Sequence, residues 1–345
     1  MKAVRIHNFG DLSELKWESV RKPQISKSGD DILVRIVAAS INHLDIWVRK
    51  GIPGVPLPII LGSDGAGVVE SCGEKVSEFI PGDPVILQPL VYCGTCDQCQ
   101  KGRENYCRKM GILGETMNGT QCEYVKVKSF QLRKKPEHLS FPDAAAFSLS
   151  TQTAYAMLVK RAKIKPGEKV FVWGACSGVG SMAIQIACYF GCEVYAAAGT
   201  KEKVKMAKKL GADKAWNYKK SDIGFMVKKS VGSRGMDVVF EHVGLKTWDI
   251  SKKMLATGGR LVTCGATTGY DVSLDLRHLF MKQQSILGST MSDIKTFDEM
   301  YSLINENVIY PVVDRILPME DVRNAHEYIE TSGPIGKVVL LSEKT

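Results

Sequence analysis

Hydrophobic and polar positions fall into two textures along this chain. Up to about residue 150, short β-rich runs such as DILVRIVAASIN and IILGSDGAGVVE are broken by Gly, Pro and Asn, and no long helical period develops before Asp143. That pattern predicts an all-β lobe. From about 151 onward, strands alternate with helical stretches: KVFVW leads to SMAIQIACYFG, EVYAAA to KEKVKMAKKLG, and DVVFEHVG to LKTWDISKKML before GRLVTCGA. Repeated βαβ units imply a parallel sheet with helices on both faces, so the fold class is α/β with a separate β-rich domain. After about 293, helical patterns in DIKTFDEMYSLINE and EDVRNAHEYI precede a last strand, GKVVLLS.

Composition narrows the class. With 345 residues and 44% hydrophobic content the chain can build about two well-formed cores. The N-terminus, MKAVRIHNFGDLSELKW, has no apolar signal region, and no run reaches the roughly 18–20 apolar residues of a membrane span, so a soluble, cytoplasmic protein is expected. A net charge of +9 with a pI near 8.9 leans toward anionic ligands. The lysines are scattered rather than clustered, which favours an anionic cofactor or small-molecule substrate over nucleic acid.

Two motifs carry chemistry. In VYCGTCDQCQKGRENYC, the thiols of Cys93, Cys96, Cys99 and Cys107 have the spacing of a closed tetrathiolate zinc site, which leaves no position for water or substrate. One structural Zn2+ holding a lobe at about 90–110 is expected. The remaining cysteines fall mostly in apolar segments and read as small buried residues. The second motif follows strand KVFVW: Gly174, Ala175, Cys176, Ser177, Gly178, Val179 and Gly180 lead into a helix. Small residues let the backbone approach a pyrophosphate, whose charge the helix N-terminus complements. Cys176 stands at that turn as a small filler. The next strand ends Ala196-Ala197-Ala198-Gly199-Thr200-Lys201 without an acid for a ribose 2′-hydroxyl, whereas Thr200, Lys201 and Lys203 suit a 2′-phosphate. NADPH is the cofactor expected.

The zinc loop, the glycine turn, LGSDGAGVVE, PGDPVI and GKVVLL together resemble the medium-chain dehydrogenase/reductase superfamily over essentially the whole chain. The resemblance implies a GroES-like β-barrel catalytic domain formed by 1–150 and 293–345, a Rossmann domain of 151–292 and a substrate cleft between them. It also implies a homodimer or homotetramer built through the Rossmann sheet edge near Ser285 to Met291. Cofactor contacts implied in the same way come from Thr153, Val243, Gly265, Ala266, Gly288 and Ser289, with Tyr218 beside the adenosine phosphate and Lys337 as a further cofactor candidate.

Matching motifs places that family's catalytic zinc ligands at Asn42, Ser63 and Leu149, and its proton relay at Leu44 and Trp47. None is a good zinc ligand and neither relay position can carry a proton. The chain therefore resembles the branch of quinone oxidoreductases and enoyl- or acryloyl-CoA reductases, while keeping the structural-zinc cysteines. The expected reaction is hydride transfer from NADPH to the β-carbon of an α,β-unsaturated carbonyl compound, an acyl-CoA in preference to an enone or quinone. Asn42 and Ser63 would stabilise the enolate oxygen, with water or His43 protonating the α-carbon. Arg49, Lys50, Arg277 and Lys282 are candidates for the phosphates of a CoA thioester. An alcohol or aldehyde dehydrogenase and an NADPH-binding protein without turnover are the alternatives.

Overall fold

The computed structural model describes residues 1–342. They pack as two compact units: one takes Met1–Ser150, Ser292–Asn305 and the chain from Tyr310 onward, the other Thr151–Met291 and Glu306–Ile309.

In the first unit the apolar runs become strands around Asp31–Ile41. This strand pairs antiparallel with Asp64–Cys72 and with Lys337–Leu341, and its early residues also pair with Tyr124–Lys128. Beyond them the sheet continues through Pro84–Leu87 to Leu132–Lys134 in one direction and to Val313–Pro318 in the other. A smaller sheet orders Lys16–Ser19, Lys2–Ile6 and Ile59–Ile60. Val4, Ile6, Ile32, Val34, Ile36, Val69, Leu87, Val125 and Leu340 form one buried cluster, and each such side chain stabilises the fold by roughly 1.5–3 kcal/mol relative to exposure.

Register does more than fill the core. Ser40 stands opposite Asp64 across one ladder and opposite Val339 across the other. Residues 42, 64 and 337 are thereby delivered to the same end of three adjacent strands.

A helix over His43–Lys50 departs from the all-β expectation for this lobe. Its start signal is an Asn followed three residues later by an acid, and the Asp45 carboxylate accepts the Asn42 backbone N–H at 2.7 Å. Two turns are too short for a search for long apolar periods to register.

The second unit is a six-stranded parallel sheet in the order Lys214–Asn217, Glu193–Ala198, Lys169–Val172, Met236–Glu241, Leu255–Thr263, Ser285–Gly288. The short strand Lys214–Asn217 and the helix Ile223–Val231, which the apolar pattern did not announce, complete it. Strand order reverses between Lys169–Val172 and Met236–Glu241, which is where open α/β sheets bind ligands beyond their carboxyl ends. No helix among the described residues is long and apolar enough to cross a membrane.

The short helix is tied down at its far end by charge. Arg49 is buried, donating to Glu330 Oε2 at 2.8 Å and to His326 Nδ1 at 3.3 Å. Burial, reinforced by the Arg49 charge, pushes His326 down to about 3. Below its ordinary value of about 6.5 the unfolded chain therefore binds a proton that the folded chain does not. This contribution to stability is complete above that value and declines as pH falls toward 3. Replacing the group in His326→Gln should flatten the dependence. The wild-type advantage measured by urea denaturation is expected to shrink by about 2 kcal/mol between about pH 7.5 and about pH 5; an unchanged difference would refute the assignment.

Candidate active site

Asp64 is the hub of the polar end of the first unit. Its side chain is fully buried, with Oδ1 accepting the Leu149 backbone N–H at 2.7 Å. Oδ2 accepts the Ser40 hydroxyl at 3.1 Å, the Asn42 Nδ2 at 2.9 Å and the Lys337 ammonium at 3.1 Å. Lys337 is 5% exposed and also donates to Asn42 Oδ1. Asn42 is thus held between a cation on its oxygen and an anion on its nitrogen. Turning the amide over would forfeit two charge-assisted bonds of roughly 1.5–3 kcal/mol each and set like against like. The orientation is consequently fixed by chemistry, with one Nδ2–H on Asp64 and the second free of any partner among the described residues.

Asp45 lies beneath this layer. It is fully buried, accepts the Asn42 N–H and the Gly62 N–H at 2.9 Å, and burial raises it to about 6 against the pull of those donors and of Lys337. His43 is exposed and meets Trp47 edge-on, with ring centroids 5.2 Å apart.

The four cysteines of the polar loop converge. Their sulfurs lie within 4.8 Å of one another, with separations of 3.5 Å for Cys93 and Cys107, 3.6 Å for Cys96 and Cys99, and 3.8 Å for Cys96 and Cys107. A tetrahedral ion with Zn–S of about 2.3 Å needs sulfur separations of about 3.8 Å, so this donor set fits a structural zinc. Backbone N–H groups of Thr95 and Cys96 hold the Cys93 thiol down to about 5, favouring the thiolate that a metal requires.

In the second unit the glycine turn sits at the strand-order reversal. Ser177 caps the helix Gly178–Tyr189, its hydroxyl accepting the Gly180 N–H at 2.9 Å. A Cβ on Gly180 would stand 2.3 Å from the Gly174 carbonyl oxygen, so the turn closes only with glycine there. Burial pushes the Cys176 thiol up to about 11 and it donates to the Lys203 carbonyl, consistent with a small filler. A cavity of about 1060 Å³ brings Gly174, Tyr218 and Val243 together with Lys246, Thr268 and Lys282. Gly199 lies against the Tyr218 ring, and Gly265, Ala266, Gly288 and Ser289 follow or end the last two strands at their carboxyl ends. Thr153 lies on the helix Ser148–Tyr155.

Two side chains beside the expected cofactor residues escaped the sequence. Glu241 ends the apolar strand DVVFE and is fully buried. It accepts the Val243 and Gly244 N–H groups at 2.7 and 3.1 Å and the Ser251 hydroxyl at 2.6 Å, and so shapes a loop at the cofactor turn. An acid closing an otherwise apolar strand was its signal. Glu202, in the first turn of the helix Lys201–Lys209, takes a bond from Thr200 and is held below its ordinary value by its own backbone N–H and that bond. It puts a carboxylate beside the cations expected to meet a 2′-phosphate.

Residues 28–137 match the model of the alcohol dehydrogenase GroES-like domain, and 178–306 that of the zinc-binding dehydrogenases. Human quinone oxidoreductase is 30% identical, covering 99% of this chain and 98% of its own. A crotonyl-CoA carboxylase/reductase of Cereibacter sphaeroides is 29% identical, covering 94% and 83%. The chain belongs to the medium-chain dehydrogenase/reductase superfamily. Among solved structures, an NAD-dependent alcohol dehydrogenase superposes with a TM-score of 0.95 at 40% identity, covering 99% and 100%. The crotonyl-CoA carboxylase/reductase AntE, solved with NADP, gives 0.91 at 25%, covering 99% and 94%. This member is an oxidoreductase of that type, with a GroES-like domain and a Rossmann sheet.

Against the superfamily's catalytic zinc, the donor set here does not fit. Asn42 and Leu149 both lead to Asp64, Leu149 only through its backbone, and a buried ammonium 3.1 Å from the carboxylate repels a second cation. Ser63 requires correction: it is fully buried and its only O–H donates to the Leu113 carbonyl at 2.8 Å, so it is not a donor for an enolate. Arg49, engaged with Glu330 and His326, is likewise withdrawn from the cations that could meet CoA phosphates. Lys337 is an interior group bonded to Asn42 and Asp64 rather than a solvated lysine.

Removing one ligand should separate the lobe metal from the chemistry. Purified protein is expected to carry about one zinc per chain, and Cys107→Ser to lose it with a clear drop in melting temperature. Metal analysis alongside thermal denaturation checks this; about two zincs in the wild type, one surviving the substitution, would contradict the donor-set argument.

Proposed function

We propose that this protein is an NADPH-dependent reductase that delivers hydride to the β-carbon of an α,β-unsaturated carbonyl compound, with acyl-CoA thioesters favoured over enones and quinones. The observation that carries the reading is the half-buried Asn42 amide, which keeps one N–H without a partner among the described residues while Lys337 and Asp64 occupy its other polar positions. When bound, NADPH supplies a hydride from nicotinamide C4. As the β-carbon accepts it, negative charge gathers on the carbonyl oxygen, and the free Asn42 N–H donates to that oxygen. Water or the exposed His43 ring then protonates the α-carbon, restoring the carbonyl with the double bond reduced.

Support for NADPH comes from the acid-free strand end at Ala198, from Lys201 and Lys203, and from the related reductase solved with NADP. Glu202 weighs toward NADH, since a carboxylate there could accept from a free ribose 2′-hydroxyl. Lys282 remains a cation for a CoA ligand, whereas Lys50 is paired with Glu330 and Arg277 with Asp275 at the exposed surface and would have to exchange those partners. The edge strand Ser285–Gly288, followed by Ser289 to Met291, with exposed Leu276, Phe280 and Met281 nearby in sequence, favours a homodimer or homotetramer. A second reading, alcohol dehydrogenase, is favoured by the 40% identical solved relative.

A panel of crotonyl-CoA, acryloyl-CoA, enones, quinones and aldehydes separates the two when NADPH and NADH oxidation is followed. The activated double bonds are expected to react with NADPH, and Asn42→Ala to lower kcat about a hundredfold. Reduction of aldehydes alone would overturn the proposal.

A further inference from the structure

Lys337 and Asp64 are a buried cation and anion that share one neutral amide between them. A buried ion pair is a poor source of net stability, because a well-packed apolar pair often does as well. What this pair provides is direction. The ammonium occupies Asn42 Oδ1, Asp64 Oδ2 takes one Nδ2–H, and Ser40 and the Leu149 N–H fix Asp64 in turn. Hydrogen bonds in such a chain polarise one another, so an amide whose oxygen is on a cation becomes a stronger donor through its remaining N–H. Strand register backs the arrangement, since Val338 stands opposite Ile41 and each strand delivers its next residue, Lys337 and Asn42, to the same place.

We infer that Lys337 is a positioning residue for Asn42, locking the amide with its free N–H outward and strengthening it as a donor, rather than a ligand of the dinucleotide. This rests on the proposed role of Asn42 and deepens it. The Lys337 ammonium on the amide oxygen and the Asp64 carboxylate on one N–H fix the amide between them, so the donor that faces a developing oxyanion is oriented before any ligand arrives. Such preorganisation is what makes a single donor effective.

The experiment is a double-substitution cycle read in two ways. Lys337→Met is expected to lower kcat by about 10–100-fold on the best acceptor while NADPH affinity, followed by its fluorescence, stays unchanged. In the Asn42→Ala background the same change should add almost nothing, because the two residues act as one unit. Lys337→Arg should recover part of the loss, since a guanidinium can also donate to Asn42 Oδ1 and Asp64. To guard against a fold damaged by an unpaired Asp64, the neutral pair Lys337→Met with Asp64→Asn is measured alongside and should show the same kcat loss. Weakened NADPH binding with kcat preserved at saturating cofactor would overturn the inference, and so would losses that add in the cycle. The second readout needs no turnover: the Asn42 side-chain NH2 signals in ¹⁵N-labelled protein should move in Lys337→Met, and unmoved signals would overturn it. If the wild type reduces no activated double bond while those signals move, the proposed reaction fails and the positioning role stands.

Discussion

The buried carboxylate of Asp64 is the constraint around which the first unit's polar end is arranged. Four donors reach it from three separate stretches of chain: Ser40 and Asn42 at the end of one strand, Leu149 at the start of a helix and Lys337 at the start of the last strand. A charge so deep is tolerable only when its lone pairs are filled, and removing one buried partner typically costs about 3–5 kcal/mol. The same requirement that stabilises Asp64 therefore dictates where Asn42 points. Packing of the central strand against Asp64–Cys72 and Lys337–Leu341 supplies the register, and the register supplies the site.

The tetrathiolate set that fits a structural zinc lies in a polar loop, where four sulfurs would close the coordination of an ion and leave no position for substrate. Of the positions where the zinc-type family is expected to coordinate a reactive metal, Asn42 bonds to Lys337 and Asp64, Ser63 donates to the Leu113 carbonyl, and Leu149 offers only its backbone N–H to Asp64. The cation there is the Lys337 ammonium, balanced by the Asp64 carboxylate.

Much of this was legible in the chain. The alternation of apolar and polar positions announced the β-rich lobe and the βαβ repeats, and the spacing of Cys93, Cys96, Cys99 and Cys107 announced their convergence. Asn42 stood out because it replaces a metal ligand. What sequence could not supply was the partner list of each polar group. Ser63 looked like a second donor, but the neighbour that takes its proton, the Leu113 carbonyl, is 50 residues away. In the sequence Lys337 is a cofactor candidate, and the folded sheet places it in the interior beside Asn42 and Asp64. Arg49 shows the same limit: in the sequence it is a candidate for the phosphates of a CoA thioester, and its seat between His326 and Glu330 is made about 280 residues later in the chain. Glu241 could have been flagged, since an acid ending an apolar strand has to find partners, but which backbone it serves is a property of the folded turn.

Following the hydride itself tests the central claim most directly. NADPH carrying deuterium at C4 on the transferred face, incubated with an α,β-unsaturated thioester or ketone, labels the atom that receives it. The account predicts deuterium at the β-carbon of a product that keeps its carbonyl. Deuterium on the carbonyl carbon of an alcohol would contradict it.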